Sequence, residues 1–115
     1  MSKETKIWGT TECLVRWDAV EVHHLKTKAG GYCSIHRHGK VNIFHVVRGE
    51  VAVTLFEPDD NVVLTDGQGF EVPTMRWHRF KSITDAEVIE VYLPAPLRAD
   101  DIERRSEGGM ESSDA

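Results

Sequence analysis

The stretch GGYCSIHRHGKVNIFHVVRGE, residues 30–50, decides the fold of this chain. It alternates as a β-strand does, and residues two apart in a strand point to the same side. His36 and His38 therefore share a face that ought to be buried, and Asn42 has the same parity, whereas His45 should face the other way. A His-x-His pair alone is weak evidence for a site, because six histidines in 115 residues produce one by chance in about a quarter of such chains.

Short alternating segments continue along the rest of the chain. They are rich in β-branched and aromatic residues, and turn sequences such as PDDN (58–61) and DGQG (66–69) separate them. No stretch upstream of residue 95 has a helical period. This pattern is typical of an all-β sandwich or barrel.

Size and composition indicate one ordinary soluble domain. The chain has 115 residues, of which 40% are hydrophobic and 29% charged, and no apolar run is long enough to span a membrane. The first residues lack the apolar core of a signal peptide, and Cys13 and Cys33 are too few for a disulfide framework. We therefore expect a cytoplasmic protein in which Cys33 is a small buried hydrophobe.

The net charge of −5 is concentrated at the C-terminus. Residues 99–115 carry six acids and two bases, a net charge of −4, which leaves −1 for residues 1–98. The nearly neutral body has no basic stripe for nucleic acid. We expect a barrel over residues 1–98 and an acidic, partly mobile tail over residues 99–115, with either a frayed end or one helical turn capped by Asp100.

Spacing around the histidines adds a stronger signal. Fixed positions run Gly30, five residues, His36 and His38, three residues, Asn42, six residues, Gly49; a second set runs Gly67, five residues, Pro73, four residues, His78. This arrangement resembles the two motifs of the cupin superfamily, G(X)5HXH(X)3-4E(X)6G and G(X)5PXG(X)2H(X)3N. Three positions depart from the motifs, with Asn42 in place of Glu, Met75 in place of Gly and Ser82 in place of Asn.

The resemblance implies an all-β fold, a double-stranded β-helix or jelly-roll barrel, with a metal inside one mouth. The ligands it implies are His36, His38 and His78 with Asn42 in the fourth place, and the cofactor is a divalent ion such as Fe, Zn, Mn or Ni. Three neutral imidazoles also suit an open catalytic site on chemical grounds. The alternative is that they only hydrogen-bond inside the barrel, which is costly for imidazoles without partners.

Asn42 leaves two alternatives open. Its amide oxygen could coordinate the ion, leaving the formal charge of the site at +2, or it could hold a water bound to the metal. Some cupins, the thiol dioxygenases among them, are similar in having three histidines without the glutamate.

Other candidates surround the ligand strands. The carboxylates Glu50, Glu71, Glu87 and Glu90 are expected on solvated faces. His24 shares the parity of Val20 and Val22, so His24 and Tyr32 are candidates for the barrel mouth, with a satisfied histidine at the barrel end or a dimer seam as the alternative for His24. Phe80 shares the parity of His78 and should line the pocket. Arg37, Lys40, Arg76 and Arg79 are either anion-binding groups at the rim or ordinary surface charge.

Both ends of the chain, KIWGTTECL (6–14) and LRADDIERRSEGG (97–109), are distantly similar to the ends of mannose-6-phosphate isomerase-type cupin domains. Three hypotheses follow: a metal-dependent enzyme acting on a small polar or anionic metabolite, dioxygenase- or isomerase-like; a non-catalytic cupin that binds a metal or a sugar; or a structural barrel without a functional ion. A small-molecule ligand and a homodimer are expected, since exposed strand edges favour pairing.

Overall fold

The structure is a computed structural model, and it describes residues 3–17, 19–93 and 102–111. These residues form short β-strands and no helix. The strands are β1 Lys3–Lys6, β2 Gly9–Arg16, β3 Glu21–Thr27, β4 Gly31–Tyr32, β5 His36–His38, β6 Val41–Arg48, β7 Val51–Leu55, β8 Asp60–Leu64, β9 Gly69–Val72, β10 His78–Ser82, β11 Ala86–Leu93, β12 Ile102–Arg104 and β13 Gly109–Met110. Since the described residues contain no helix, none of their elements is a membrane-spanning helix.

The strands form two antiparallel sheets. One has the order β1-β2-β3-β11-β6-β9. The other has the order β12-β5-β10-β4-β13, with β7 pairing both β10 and β8. The all-β double-sheet architecture predicted from the sequence is thereby confirmed.

Strict alternation of buried and accessible residues packs the two sheets onto one core. β7, β10 and β11 all begin with a buried residue and then alternate, as strands with one covered face do. Phe80 on β10 contacts Trp8 edge-to-face at 4.9 Å and Phe44 on β6 at 6.0 Å between ring centroids. Cys33 is buried, as predicted, and belongs to this core.

A tight turn just before β10 is hydrogen-bonded to β5, the strand that carries His38. Met75, which stands where the motif has glycine, adopts a left-handed conformation with φ of 59°. Its backbone NH donates to the carbonyl of His38 at 2.8 Å. The backbone therefore keeps the glycine-like conformation although the side chain has changed, at a cost of about 1 kcal/mol.

The C-terminal segment belongs to the barrel wall where it is described. Residues 102–104 are a strand rather than a helical turn, and they pair with β5, the strand of the His-x-His sequence. Residues 109–110 pair with β4. Asp100, expected as a helix cap, and the boundary expected at residues 98–99 lie outside the described residues. Residues 102–104 and 109–110 form strands because they hydrogen-bond to β5 and β4. The edge of a sheet leaves backbone NH and carbonyl groups that such a segment can pair with.

Candidate metal centre

Three imidazoles converge on the inner face of the second sheet. His36 on β5 lies directly opposite His78 on β10 in the strand register, and His38 is two residues further along β5. Ring centroids are 4.5 Å apart for His36 and His78, 5.1 Å for His38 and His78, and 5.5 Å for His36 and His38. One ring nitrogen of each lies within 4.8 Å of those of the other two. His36 and His38, two residues apart on β5, and His78 on the neighbouring β10 thus lie close together, as predicted.

Each ring is held by the backbone in the same way. The Nδ1 atoms of His36, His38 and His78 lie 2.8–2.9 Å from the carbonyl oxygens of Ser34, Lys40 and Arg76. A carbonyl can only accept, so each Nδ1 must carry the proton and donate it. Each Nε2 then bears a lone pair, which is the tautomer that a metal ligand needs.

Burial keeps the imidazoles of His36 and His78 neutral. Burial, together with the neighbouring charge of His78, lowers the pKa of His36 to about 3. Burial likewise lowers the pKa of His78 to about 4, against the opposing effect of its hydrogen bond to Arg76. Near neutral pH both are uncharged and need not lose a proton before they bind a cation.

Asn42 lies on the inward face of β6 and is fully buried. Its Nδ2 is 3.4 Å from the carbonyl oxygen of Val91 and also hydrogen-bonds to the carboxyl of Glu90. With Nδ2 turned to β11, Oδ1 is left as a buried acceptor without a hydrogen-bond partner among the described residues. The predicted parity holds here too, because His45 on the same strand is exposed.

A cavity of about 580 Å³ opens beside the imidazoles, with His36 in its wall. Its lining comes from both sheets and from the C-terminal segment; it includes Trp8, Glu21, His23, Cys33, Phe80, Glu90, Tyr92, Ile102, Arg104 and Glu107. Phe80 lines it as predicted. The volume is that of a pocket for a small organic molecule.

The polar wall opposite the imidazoles was not predicted. Glu90, expected on a solvated face, is 7% exposed and faces inward, whereas Glu50 and Glu71 are exposed as expected. Burial raises the pKa of Glu90, opposed by hydrogen bonds from Tyr92 and Asn42. The ring of Tyr92 contacts both His38 and His23, with ring centroids 5.7 Å and 5.6 Å away.

The expected orientation of β3 is wrong. Its inward residues are Glu21, Leu25 and Thr27, so His24 faces outward, where its Nε2 is 3.3 Å from a carboxylate oxygen of Glu87. Hydrophobicity alone favours the face of β3 that carries Val22 as the inward one. The true inward side carries polar groups because it borders a polar cavity, and a hydrophobic pattern cannot reveal that.

A second cluster of metal-binding residue types lies on the first sheet. Atoms of Cys13, Glu21 and His23 lie within 4.8 Å of one another. The carboxylate of Glu21 is already shared, with Arg16 Nε at 2.5 Å and His23 Nε2 at 2.9 Å.

The four cations expected at the rim do not line the cavity. Arg37 and Arg79 lie over the rings of Trp77 and Tyr32, at 4.6 and 5.2 Å. Arg76 donates to backbone carbonyls of residues 56 and 58. Tyr32, expected at the mouth, lies under Arg79 and outside the cavity. The cations that do line the cavity are Lys6, Arg16 and Arg104.

The donor set fits a divalent cation. Buried Nε2 of His78 and Oδ1 of Asn42 have no hydrogen-bond partner among the described residues, and a buried polar atom without a partner is costly. The fold and this site define a double-sheet β-barrel with a candidate mononuclear metal centre of His36, His38 and His78. The cupin domain family matches residues 23–92, more than half of the chain, and the chain belongs to this family.

Solved structures agree on the fold. A tryptophan-substituted variant of oxalate decarboxylase from Bacillus subtilis is 13% identical and has a TM-score of 0.82 over 90% of this chain and 30% of that chain. The same enzyme at pH 4.6 is 13% identical with a TM-score of 0.81, over 90% of this chain and 29% of that one. A further structure of it, from work on its Mn(II) centres, is 14% identical with a TM-score of 0.81, over 90% of this chain and 30% of that one.

This chain therefore spans about 30% of the length of these enzymes, and the likeness concerns the fold. No curated protein sequence matches it. None of the structures named here is a mannose-6-phosphate isomerase, so the likeness at the two chain ends stays a hypothesis.

Proposed function

We propose that the protein is a mononuclear metal-dependent enzyme acting on a small polar or anionic metabolite, with His36, His38, His78 and Asn42 around the ion. One observation carries the proposal. Three imidazoles, each fixed through Nδ1 by a backbone carbonyl, meet beside a cavity of about 580 Å³ that His36 lines. A purely structural ion would have its coordination completed by protein ligands, whereas this centre borders space for a substrate.

The residues of this chain prepare the centre in three ways. The carbonyls of Ser34, Lys40 and Arg76 accept hydrogen bonds from the rings and so set their tautomer, and burial keeps His36 and His78 neutral. Asn42 directs Oδ1 away from its Nδ2 partners and adds no charge. A divalent ion bound there would polarise a substrate oxygen and make a bound water more acidic.

Tyr92 and Glu90 supply hydrogen-bonding groups on the opposite wall of the cavity. Glu90 is buried, which raises the pKa of its carboxyl, and hydrogen bonds from Tyr92 and Asn42 oppose that shift. The carboxyl of Glu90 and the hydroxyl of Tyr92 are both groups that can hydrogen-bond to a polar substrate. Together they would orient a polar substrate between this wall and the ion.

The first test is metal content. Protein purified without an affinity tag is analysed by mass spectrometry for Fe, Zn, Mn and Ni, and we expect close to one equivalent per chain. Less than about a tenth of an equivalent, with no uptake of added metal, would contradict the proposal.

The second test is turnover. The Fe(II) and Mn(II) forms are assayed for oxygen uptake and product formation with a thiol, a diketone, a sugar phosphate and oxalate, which is included because oxalate decarboxylase shares the fold. Turnover that disappears in His78→Ala supports the enzyme. Tight binding of one of these compounds without turnover would instead favour a non-catalytic binding protein.

We also expect a homodimer. β1 is an edge strand with β2 as its partner, and the large apolar side chains of Ile7, which follows β1, and Trp17, which follows β2, are exposed. Light scattering with size-exclusion chromatography measures the mass directly. A monomer at micromolar concentration would exclude this assembly.

A further inference from the structure

We infer that Arg104 forms an anion subsite beside the metal centre, so that the substrate carries a carboxylate that bridges the ion and this guanidinium. The inference rests on the proposed function and deepens it, because it names the substrate class. It concerns a residue in the C-terminal segment, outside the matched residues 23–92.

Strand register places Arg104 in the row of the ligands. Arg104 on β12 is paired with His36 on β5, and His36 is paired with His78 on β10. Side chains directly opposite one another in antiparallel strands share a face, with Cβ atoms about 5 Å apart. Arg104 therefore leaves the sheet on the same face as the imidazoles, and it lines the same cavity as His36.

The neighbours of Arg104 fasten the strand from its other face. Glu103 accepts a hydrogen bond from Arg37 at 3.0 Å, and Arg105 donates to Glu57 at 2.9 Å. The guanidinium of Arg105 also lies 3.9 Å from the centroid of the Trp77 ring. These contacts hold β12 in register, and the alternation of the strand then directs Arg104 to the cavity.

Arg104 itself has no ion pair or hydrogen bond from its side chain within the described residues. An exposed guanidinium at a cavity mouth offers a planar pair of donors that matches a carboxylate.

The remaining charges of the cavity are largely compensated. Lys6 pairs with Glu4 at 3.0 Å, and Arg16 with Glu21 at 2.5 Å. Glu90 is buried, and Tyr92 and Asn42 hydrogen-bond to its carboxyl. Glu107 is the other lining carboxylate, and it is exposed. A divalent ion held by three neutral imidazoles and an amide would keep its full charge of +2, and Arg104 adds a further +1, so an anion is the favoured occupant between them.

The experiment compares acids with their monoamides. Calorimetry on the Mn(II)-loaded protein measures Kd for oxalate, malonate and succinate and for the monoamide of each, which retains one carboxylate for the ion. We expect at least one diacid to bind about tenfold or more tightly than its monoamide, because a charge-assisted pair is lost in the amide. The diacid with the largest ratio of monoamide Kd to diacid Kd indicates the separation of the ion from Arg104.

Three variants and a matched control decide the outcome. Arg104→Gln should bring the ratio of the monoamide Kd to the diacid Kd close to one. Arg104→Lys should restore this ratio in part, since a lysine keeps the charge without the planar guanidinium. Glu107→Gln should leave the ratio in place or raise it. The control Arg48→Gln removes the same charge from an exposed ion pair with Glu87 and should change nothing.

The outcomes separate the inference from the proposed function. If Mn(II) binds and is lost in His78→Ala, but the ratio is near one or persists in Arg104→Gln, the anion subsite is wrong and the metal centre stands. If no metal binds, the proposed function fails, and the bridging role fails with it. Loss of the ratio in Arg48→Gln would show a general charge effect and would also overturn the inference.

Discussion

The described residues contain two clusters of side chains of the types that bind metals, and the clusters differ in the hydrogen bonds that their donor atoms already make. The three imidazoles on the second sheet are anchored through Nδ1, and the buried Nε2 of His78 has no hydrogen-bond partner among the described residues. In the cluster of Cys13, Glu21 and His23, the carboxylate already bonds to Arg16 and His23. Both meet the same distance criterion of 4.8 Å. Proximity alone therefore does not define a metal centre; the availability of the lone pairs does.

Removing one histidine from each cluster should produce the largest difference in metal affinity between the two. His78→Ala should weaken Co(II) or Zn(II) binding at least about a hundredfold, since the loss of a direct ligand exceeds the 10- to 100-fold effect of an outer-shell partner. His23→Ala is the matched control and should leave metal affinity unchanged. Competition titration with a coloured chelator measures both affinities, and a loss in His23→Ala without a loss in His78→Ala would show that the two clusters had been assigned the wrong way round.

The clusters should also respond to acid in different pH windows. Folded His78 has its pKa lowered to about 4 from 6.5, so below pH 6.5 the unfolded chain binds more protons and the metal-free protein loses stability as the pH falls to about 4. Although burial opposes it, hydrogen bonds from His23 and Arg16 lower the pKa of Glu21, so its contribution is present above pH 4.5 and is lost only below that value.

Urea unfolding from pH 7 to pH 4 tests this prediction. His78 should account for about 3 kcal/mol of the loss in unfolding free energy. In His78→Gln that part of the slope should disappear, and an unchanged slope would contradict the assignment of His78 as neutral.

Glu21→Gln tests whether the second cluster is structural. The substitution keeps the shape and removes the charge that Arg16 and His23 share, so it should lower the unfolding free energy by about 1 to 2 kcal/mol. Metal affinity at the imidazoles should not change. Chemical denaturation and metal titration on the same sample check both, and a loss of metal without a loss of stability would reverse the interpretation.

Asn42→Asp makes the first cluster resemble the second by adding a carboxylate. We expect about tenfold tighter retention of a divalent metal, because the added charge faces the ion. The metal-free protein should become less stable, since the new charge is buried beside Glu90. Asn42→Leu serves as the control of similar volume, and unchanged retention in both variants would show that Asn42 is remote from the ion.

Much of the fold could be predicted because it depends on local rules. Period-two alternation and turn residues predicted the all-β architecture, and parity placed Asn42 inward and His45 outward. The same rule failed at β3 and at Glu90, where polar residues face inward. Parity identifies two faces, but a hydrophobic pattern selects the correct one only where the interior is apolar.

The strands, the turn positions and the shared face of His36 and His38 could be read from local spacing, since each depends on neighbours within a few residues. The side chains that face these histidines depend on long-range packing. Glu90 and Tyr92 on β11, and Arg104 on β12, reach the cavity through strand register between segments tens of residues apart. Such register results from packing and hydrogen bonding of the whole barrel, so no local spacing in the chain encodes it.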